Sequence, residues 1–193
     1  TPLLDTISTV GNVGVGGSSN SENMQLLATF VQPSVDALTG AGIDKIILLA
    51  HLQDLNNEIE LSAFLKDVDI IVGGGSNTRL ADTTDRLRIG ESAEGDYPLV
   101  QTDADGESVL IVNTDGNYQY VGRLVADFDE NGEVIFSSID PTVSGAYATD
   151  EQGVIDTGNV APSARVVEIT DALRDVIAAK DGNTFGKTSV FLN

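Results

Sequence analysis

Two short apolar runs, Ile46-Ile47-Leu48-Leu49-Ala50 and Ile70-Ile71-Val72, constrain this chain more than any other feature. The first runs into His51, the only histidine, and the second into Gly73-Gly74-Gly75-Ser76-Asn77-Thr78. Between them, residues Asn57 to Phe64 have the spacing of an amphipathic helix, with Ile59, Ala63 and Phe64 on one side. Strand, helix and strand in this order predict a βαβ unit, whose two strands run the same way and end side by side. Adjacent strands lie about 4.8 Å apart, and open α/β sheets take their ligands just outside the carboxyl ends. His51 and the Gly73–Thr78 turn are therefore expected to border one pocket.

The rest of the chain supplies the setting. Residues 1–22 read as a loop, and Glu22 to Leu38 as a helix carrying Met24, Leu27, Phe30, Val31, Val35 and Leu38. Pro33 is expected to kink this helix or start a second one. Residues 79–98 show no steady periodicity. Strands are predicted at Ser108–Asn113, Gln119–Asp129 and Glu133–Ile139, the last two joined by the hairpin signal Asn131-Gly132. The architecture thus changes near residue 105 from βα units to an antiparallel meander. A second loop follows, then a helix from Ser163 to Lys180 and a closing strand at 187–193. The division expected is 1–140, a linker at 141–162, and 163–193 as a connector helix leading into a further domain. Because the chain opens in a loop and closes inside a strand, it is expected to be a piece of a longer protein.

Charge and composition narrow the partners. Thirty acidic against 10 basic side chains give a formal net charge of −20, which argues against a nucleic-acid polymer or an anionic membrane surface. No stretch reaches the roughly 20 apolar residues of a membrane span. The absence of cysteine excludes disulfides, thiolate zinc sites and thiol catalysis. No nucleophile-elbow serine accompanies His51, and Gly186-Lys187-Thr188 keeps only the end of a phosphate loop.

Several segments carry more than one reading. The Gly73-Gly74-Gly75-Ser76 turn can cradle an anion with its backbone N–H groups or serve only as a flexible exit from a strand. Asp127-X-Asp129-X-Asn131-Gly132 copies the start of a calcium loop but falls on the predicted hairpin, so a surface calcium is the weaker of its two readings. Arg79, Arg86 and Arg88 stand in an acidic neighbourhood, where ion pairs with Asp82 and Asp85 compete with a phosphate contact.

Taken in order, Gly42 to His51, Val68 to Thr78, Asp96-Tyr97-Pro98-Leu99-Val100 and Gln119 to Asp129 resemble the bacterial 5′-nucleotidase group of calcineurin-like metallophosphoesterases. The resemblance implies the second half of a four-layer α/β/β/α catalytic domain, followed by an interdomain connector. It also implies divalent metal ions in the full-length parent, a phosphate-ester small molecule as substrate, and a periplasmic or extracellular location. The remaining partner would be the rest of the same polypeptide. His51 matches a metal-binding histidine of that family. In the glycine turn, Gly75 stands where a ligand histidine is expected and Asn77 where a histidine or glutamine would be, so Asn77 offers only a weak amide oxygen. The family's Asp-X-His, Gly-Asp and Asn-His motifs are not in this chain. With one good ligand and one weak one, the chain is expected to be inactive by itself. A degenerate, non-catalytic domain serving as an extracellular interaction module is the alternative.

Overall fold

The computed structural model describes residues 20–181. The described residues fall into two units, one ending at Asp156 and the other beginning at Thr157.

In the first unit, helix α1 (Asn20–Gly40) buries Met24, Ala28 and Val35, with Leu27 and Val31 packed alongside. That stripe follows the 3.6-residue repeat and leaves Phe30, one position out of phase, 72% exposed. Pro33 lies inside this one helix, so no second helix starts there. The helix stops at Gly40, and Gly42 (φ +82) turns the chain toward strand β1 (Ile47–Leu49).

Helix α2 (Leu55–Ser62) is capped by Asp54, whose side chain accepts the Asn56 N–H. Its fully buried side consists of Leu55, Asn57, Glu58, Leu61 and Ser62; of the predicted residues, Ile59 and Phe64 pack partly buried against the same core and Ala63 is exposed. Three polar residues, Asn57, Glu58 and Ser62, have taken the deepest positions, which leaves Ile59 and Phe64 at the edge of the core. Strand β2 (Ile70–Val72) then lies parallel to β1, pairing Ile47 with Ile70 and Leu49 with Val72.

Strand β4 (Ser108–Val112) pairs parallel with β2, and β3 (Leu99–Thr102) pairs antiparallel with β4. The sheet order is β1-β2-β4-β3. The change of architecture therefore comes one strand later than the sequence places it, because Ser108–Val112 completes the parallel core. Leu48, Ile71, Ile111 and Leu99 face the helices, whereas Ile70 and Leu110 pack with Val134, Leu124 and Phe128 on the other side. On that second side Ile47 (57%), Leu49 (78%) and Val72 are left exposed.

Antiparallel pairs follow. The predicted strand 119–129 breaks into β5 (Tyr120–Arg123) and β6 (Asp127–Phe128), and β6 forms a hairpin with β7 (Val134–Ile135). Residues Phe136–Ser138 turn into a 3₁₀ helix. Within the stretch expected to be loop, β8 (Gly145–Ala148) pairs with β5 and helix α3 (Glu151–Asp156) follows. In the second unit, helix α4 (Ala164–Asp181) spans nearly the predicted range, and the Val167 N–H donates to the Ser163 carbonyl. The predicted loop 1–22 lies largely, and the closing strand wholly, outside the described residues.

Candidate functional site

The parallel order brings the ends of β1 and β2 together, as the sequence requires. The Ala50 N–H donates to the Val72 carbonyl at 2.9 Å, and the Gly73 N–H to the Val112 carbonyl at 2.9 Å. The ladder thus runs to the last residue before His51 and to the first glycine of the turn. One step further, the Gln53 N–H reaches the Gly74 carbonyl at 3.4 Å.

His51 lies directly on this turn. A Cβ at Gly74 would sit 3.2 Å from its Nδ1, and one at Gly75 would sit 2.8 Å from its Cδ2 and Nε2. Gly75 has a φ of +85, a conformation that side-chain-bearing residues rarely adopt. Position 75 is accordingly glycine for two reasons, backbone geometry and the imidazole above it. The His51 side chain remains solvent-exposed, as does Asn77.

Asn77 belongs to the same turn but packs elsewhere, with its amide oxygen against Gly116. Ser76 Oγ is the hub of the turn: it accepts from Thr78 Oγ1 at 2.9 Å and from Asn113 Nδ2 at 2.9 Å. Asn113 is buried at the end of β4, so the turn is fastened to the third parallel strand. Beside it a cavity of about 440 Å³, lined by Ile47, Ile70, Val72, Gly73, Asn113 and Leu124 among others, runs along the second face of the sheet to the strand ends. Its size suits a small molecule. Of the predicted site residues only Gly73 lines it; His51, Gly74, Gly75, Ser76 and Asn77 form the neighbouring rim.

Beneath the rim lies Glu58, with no exposed surface. Burial pushes its carboxyl above the ordinary range, and the Leu52 and Gly74 N–H groups pull it partly back. Its Oε1 accepts the Leu52 N–H at 3.0 Å, while Oε2 has no hydrogen-bond partner; the Gly74 amide favours the charge without hydrogen-bond geometry. Sequence reading missed Glu58, Asn57, Gln53 and Asn113. The signal available was a polar pair, Asn57-Glu58, one helical turn from Leu61 on the side that must face the sheet.

The arginines find partners other than those expected. Arg79 pairs with Asp115 and, at 3.4 Å, with Glu91, and lies 5.6 Å over the Tyr120 ring. Burial would lower its pKa, but the Asp115 hydrogen bond and the nearby acids outweigh that and raise it. Arg86 is held by Asp150 (2.5 Å) and Asp156 (2.8 Å). Asp82 and Asp85 instead serve their own loop, Asp85 accepting the Asp82 N–H. The calcium-like segment is the hairpin: Asp129 Oδ1 accepts the Asn131 and Glu133 N–H groups at 2.8 and 3.0 Å.

Among the described residues, no group of three or more His, Cys, Asp or Glu side chains is arranged to hold a metal ion. One exposed imidazole and one amide turned toward Gly116 fit the edge of a metal centre rather than a whole one.

No protein-family model matches the chain. A snake venom 5′-nucleotidase from Naja atra is 36% identical over 124 residues, covering 64% of this chain and 23% of that protein. The crystal structure of a 5′-nucleotidase precursor from Thermus thermophilus superposes with a TM-score of 0.60 at 25% identity, over 77% of this chain and 26% of that one. The Haemophilus influenzae NAD nucleotidase superposes with a TM-score of 0.53 at 27% identity, over 65% of this chain and 25% of that one. The mixed sheet with its helices is the metallophosphoesterase fold of these proteins. Over the span it shares with them, the chain is similar to the 5′-nucleotidase group, and it spans about a quarter of these relatives' length.

Proposed function

We propose that this chain forms one wall of a metal-dependent phosphomonoesterase of the 5′-nucleotidase kind, acting on a phosphate-ester small molecule. The observation that carries this reading is the contact between His51 and the Gly74-Gly75 turn at the joined ends of two parallel strands, in a chain related to 5′-nucleotidases. His51 would hold a divalent ion through an imidazole nitrogen, and Asn77 would add a weak oxygen ligand only by turning its amide away from Gly116. Of the expected Gly73–Ser76 cradle, the amides of Gly75 and Ser76 would face the phosphoryl oxygens, since the Gly73 N–H is taken by the Val112 carbonyl and the Gly74 N–H is turned to Glu58. When bound, such ions supply a hydroxide nucleophile near neutral pH and offset phosphoryl charge. A two-metal centre needs about six protein ligands, so the others would come from the rest of the same polypeptide, and this chain would not hydrolyse phosphoesters alone. The exposed Ile47, Leu49 and Val72 support a further layer over that sheet face. A periplasmic or extracellular location is supported by the acidic charge and by relatives from snake venom.

The purified 193-residue chain should not release phosphate from 5′-AMP with Mn²⁺, Mg²⁺ or Zn²⁺. In a polypeptide carrying the remaining family segments, His51→Ala should lower kcat/KM by at least about 100-fold, since even outer partners of metal ligands are worth roughly 10–100-fold. An active full-length enzyme indifferent to His51→Ala would contradict the proposal. The second reading, a non-catalytic interaction module, is favoured by glycine at position 75, and a folded but inert full-length protein would establish it.

A further inference from the structure

Leu52, the residue after His51, has both its backbone polar groups held by side chains of one helical turn. Its N–H donates to Glu58 Oε1 at 3.0 Å, and its carbonyl accepts from Asn57 Nδ2 at 2.8 Å. Asn57 is 2% exposed and Glu58 0%. On the other side of His51, the Ala50 N–H is fixed by the Val72 carbonyl. An exposed side chain therefore rises from a backbone clamped immediately before and immediately after it.

Glu58 also reaches the second half of the rim. A Cβ at Gly73 would lie 3.6 Å from its carboxyl carbon, and the Gly74 N–H favours its charged form. One side chain thus underlies both the strand end that carries His51 and the turn on which the imidazole rests. Burying a carboxyl is costly. An apolar residue at position 58 would avoid that cost, but it would leave the Leu52 N–H unpaired in the interior.

We infer that Glu58, with Asn57 beside it, is a positioning residue that sets His51 against the Gly74-Gly75 turn. It touches neither substrate nor metal; it acts through Leu52 and the turn. The inference rests on the reading of His51 as the working group of the rim.

His51 is the chain's only histidine, so its ring signals in an NMR spectrum are unambiguous. In Glu58→Ala the Leu52 amide should exchange with solvent about tenfold faster or more, the scale of one lost buried hydrogen bond. The His51 ring resonances should shift, and their cross-relaxation with the Gly75 α-protons should weaken. The Ile111 amide, in the centre of the sheet, should keep its rate. Glu58→Gln retains an acceptor of the same length and should restore Leu52 protection to within about threefold, together with the wild-type ring signals. Unchanged Leu52 exchange and ring shifts in Glu58→Ala would overturn the inference. So would equal acceleration at Ile111, which marks general loosening, or a failure of Glu58→Gln to rescue. Should Glu58→Ala not fold, Glu58→Gln decides alone: wild-type ring signals support the inference and displaced ones overturn it. None of these readouts depends on phosphoester hydrolysis, so a failure here is distinguishable from a failure of the proposed activity.

Discussion

The imidazole of His51 occupies the space that a side chain at position 75 would need, 2.8 Å from where its Cβ would lie. Two strand ends that are far apart in sequence are locked together by that contact, and the candidate site is built on it.

Replacing Gly75 with alanine should therefore be costlier than its backbone alone explains. Gly90 has nearly the same φ, +87 against +85, but open space around its Cβ position. Gly90→Ala should cost about 1 kcal/mol, the left-handed penalty. Gly75→Ala should cost at least about 1 kcal/mol more, from overpacking against the ring. Urea denaturation of the two variants measures the difference, and equal losses would show that the ring moves aside freely.

Acid and neutral limbs of the stability profile should respond to different carboxylates. The Arg86 hydrogen bond holds Asp150 down at about 2. Its stabilisation is complete above the unfolded-state value near 4 and is lost as the pH falls through about 2. Asp69 is the opposite case, because burial pushes its carboxyl up although it accepts the Ile46 N–H at 2.7 Å. Its contribution is complete below the unfolded-state value and is lost as the pH rises through the raised one. Denaturation midpoints against pH at fixed ionic strength should show a flatter acid limb in Asp150→Asn and a smaller decline above about pH 4 in Asp69→Asn. The reverse pattern would contradict both signs.

Calcium should not stabilise the 127–132 segment specifically. Asp129 Oδ1 is already used by the Asn131 and Glu133 amides, and Gly132 packs against the Asp44 carbonyl. Melting temperatures in millimolar CaCl₂ and MgCl₂ should coincide. A rise confined to calcium, and abolished by Asp127→Ala, would restore the ion-binding reading.

Leu49, 78% exposed, should matter only when the remaining polypeptide is present. In the 193-residue chain, Leu49→Ala should change stability by less than about 0.5 kcal/mol, as surface substitutions do. In the full-length protein it should cost about 2–5 kcal/mol if a second layer buries it. Equal small effects in both would mean that nothing covers this face.

Much of this was legible from residue order alone. The runs at Ile46–Ala50 and Ile70–Val72 read as strands, and their spacing left room for a single helix, so the meeting of His51 with the glycine turn followed from topology; that Ile47 and Leu49 stand exposed on one face did not. What hydropathy could not reveal was polar burial. Asn57 and Glu58 sit in the core because the Leu52 backbone needs partners there, and the expected Ile59 and Phe64 pack only partly buried beside them. Strand β3 escaped notice because Leu99–Thr102 alternates half-buried and exposed positions at a sheet edge. Strand β8 did so because Gly145–Ala148 is built from small residues, with Tyr147 its one large side chain. The arginine partners were misassigned because Asp115, Asp150 and Asp156 are distant in sequence, and only the fold brings them near.

The most direct measurement is an NMR titration of this chain with 5′-AMP to millimolar concentration, following the His51 ring together with the Gly74, Gly75 and Ser76 amides. These signals should shift together along one saturation curve. Shifts confined to other residues, with the ring and the turn unmoved, would contradict it.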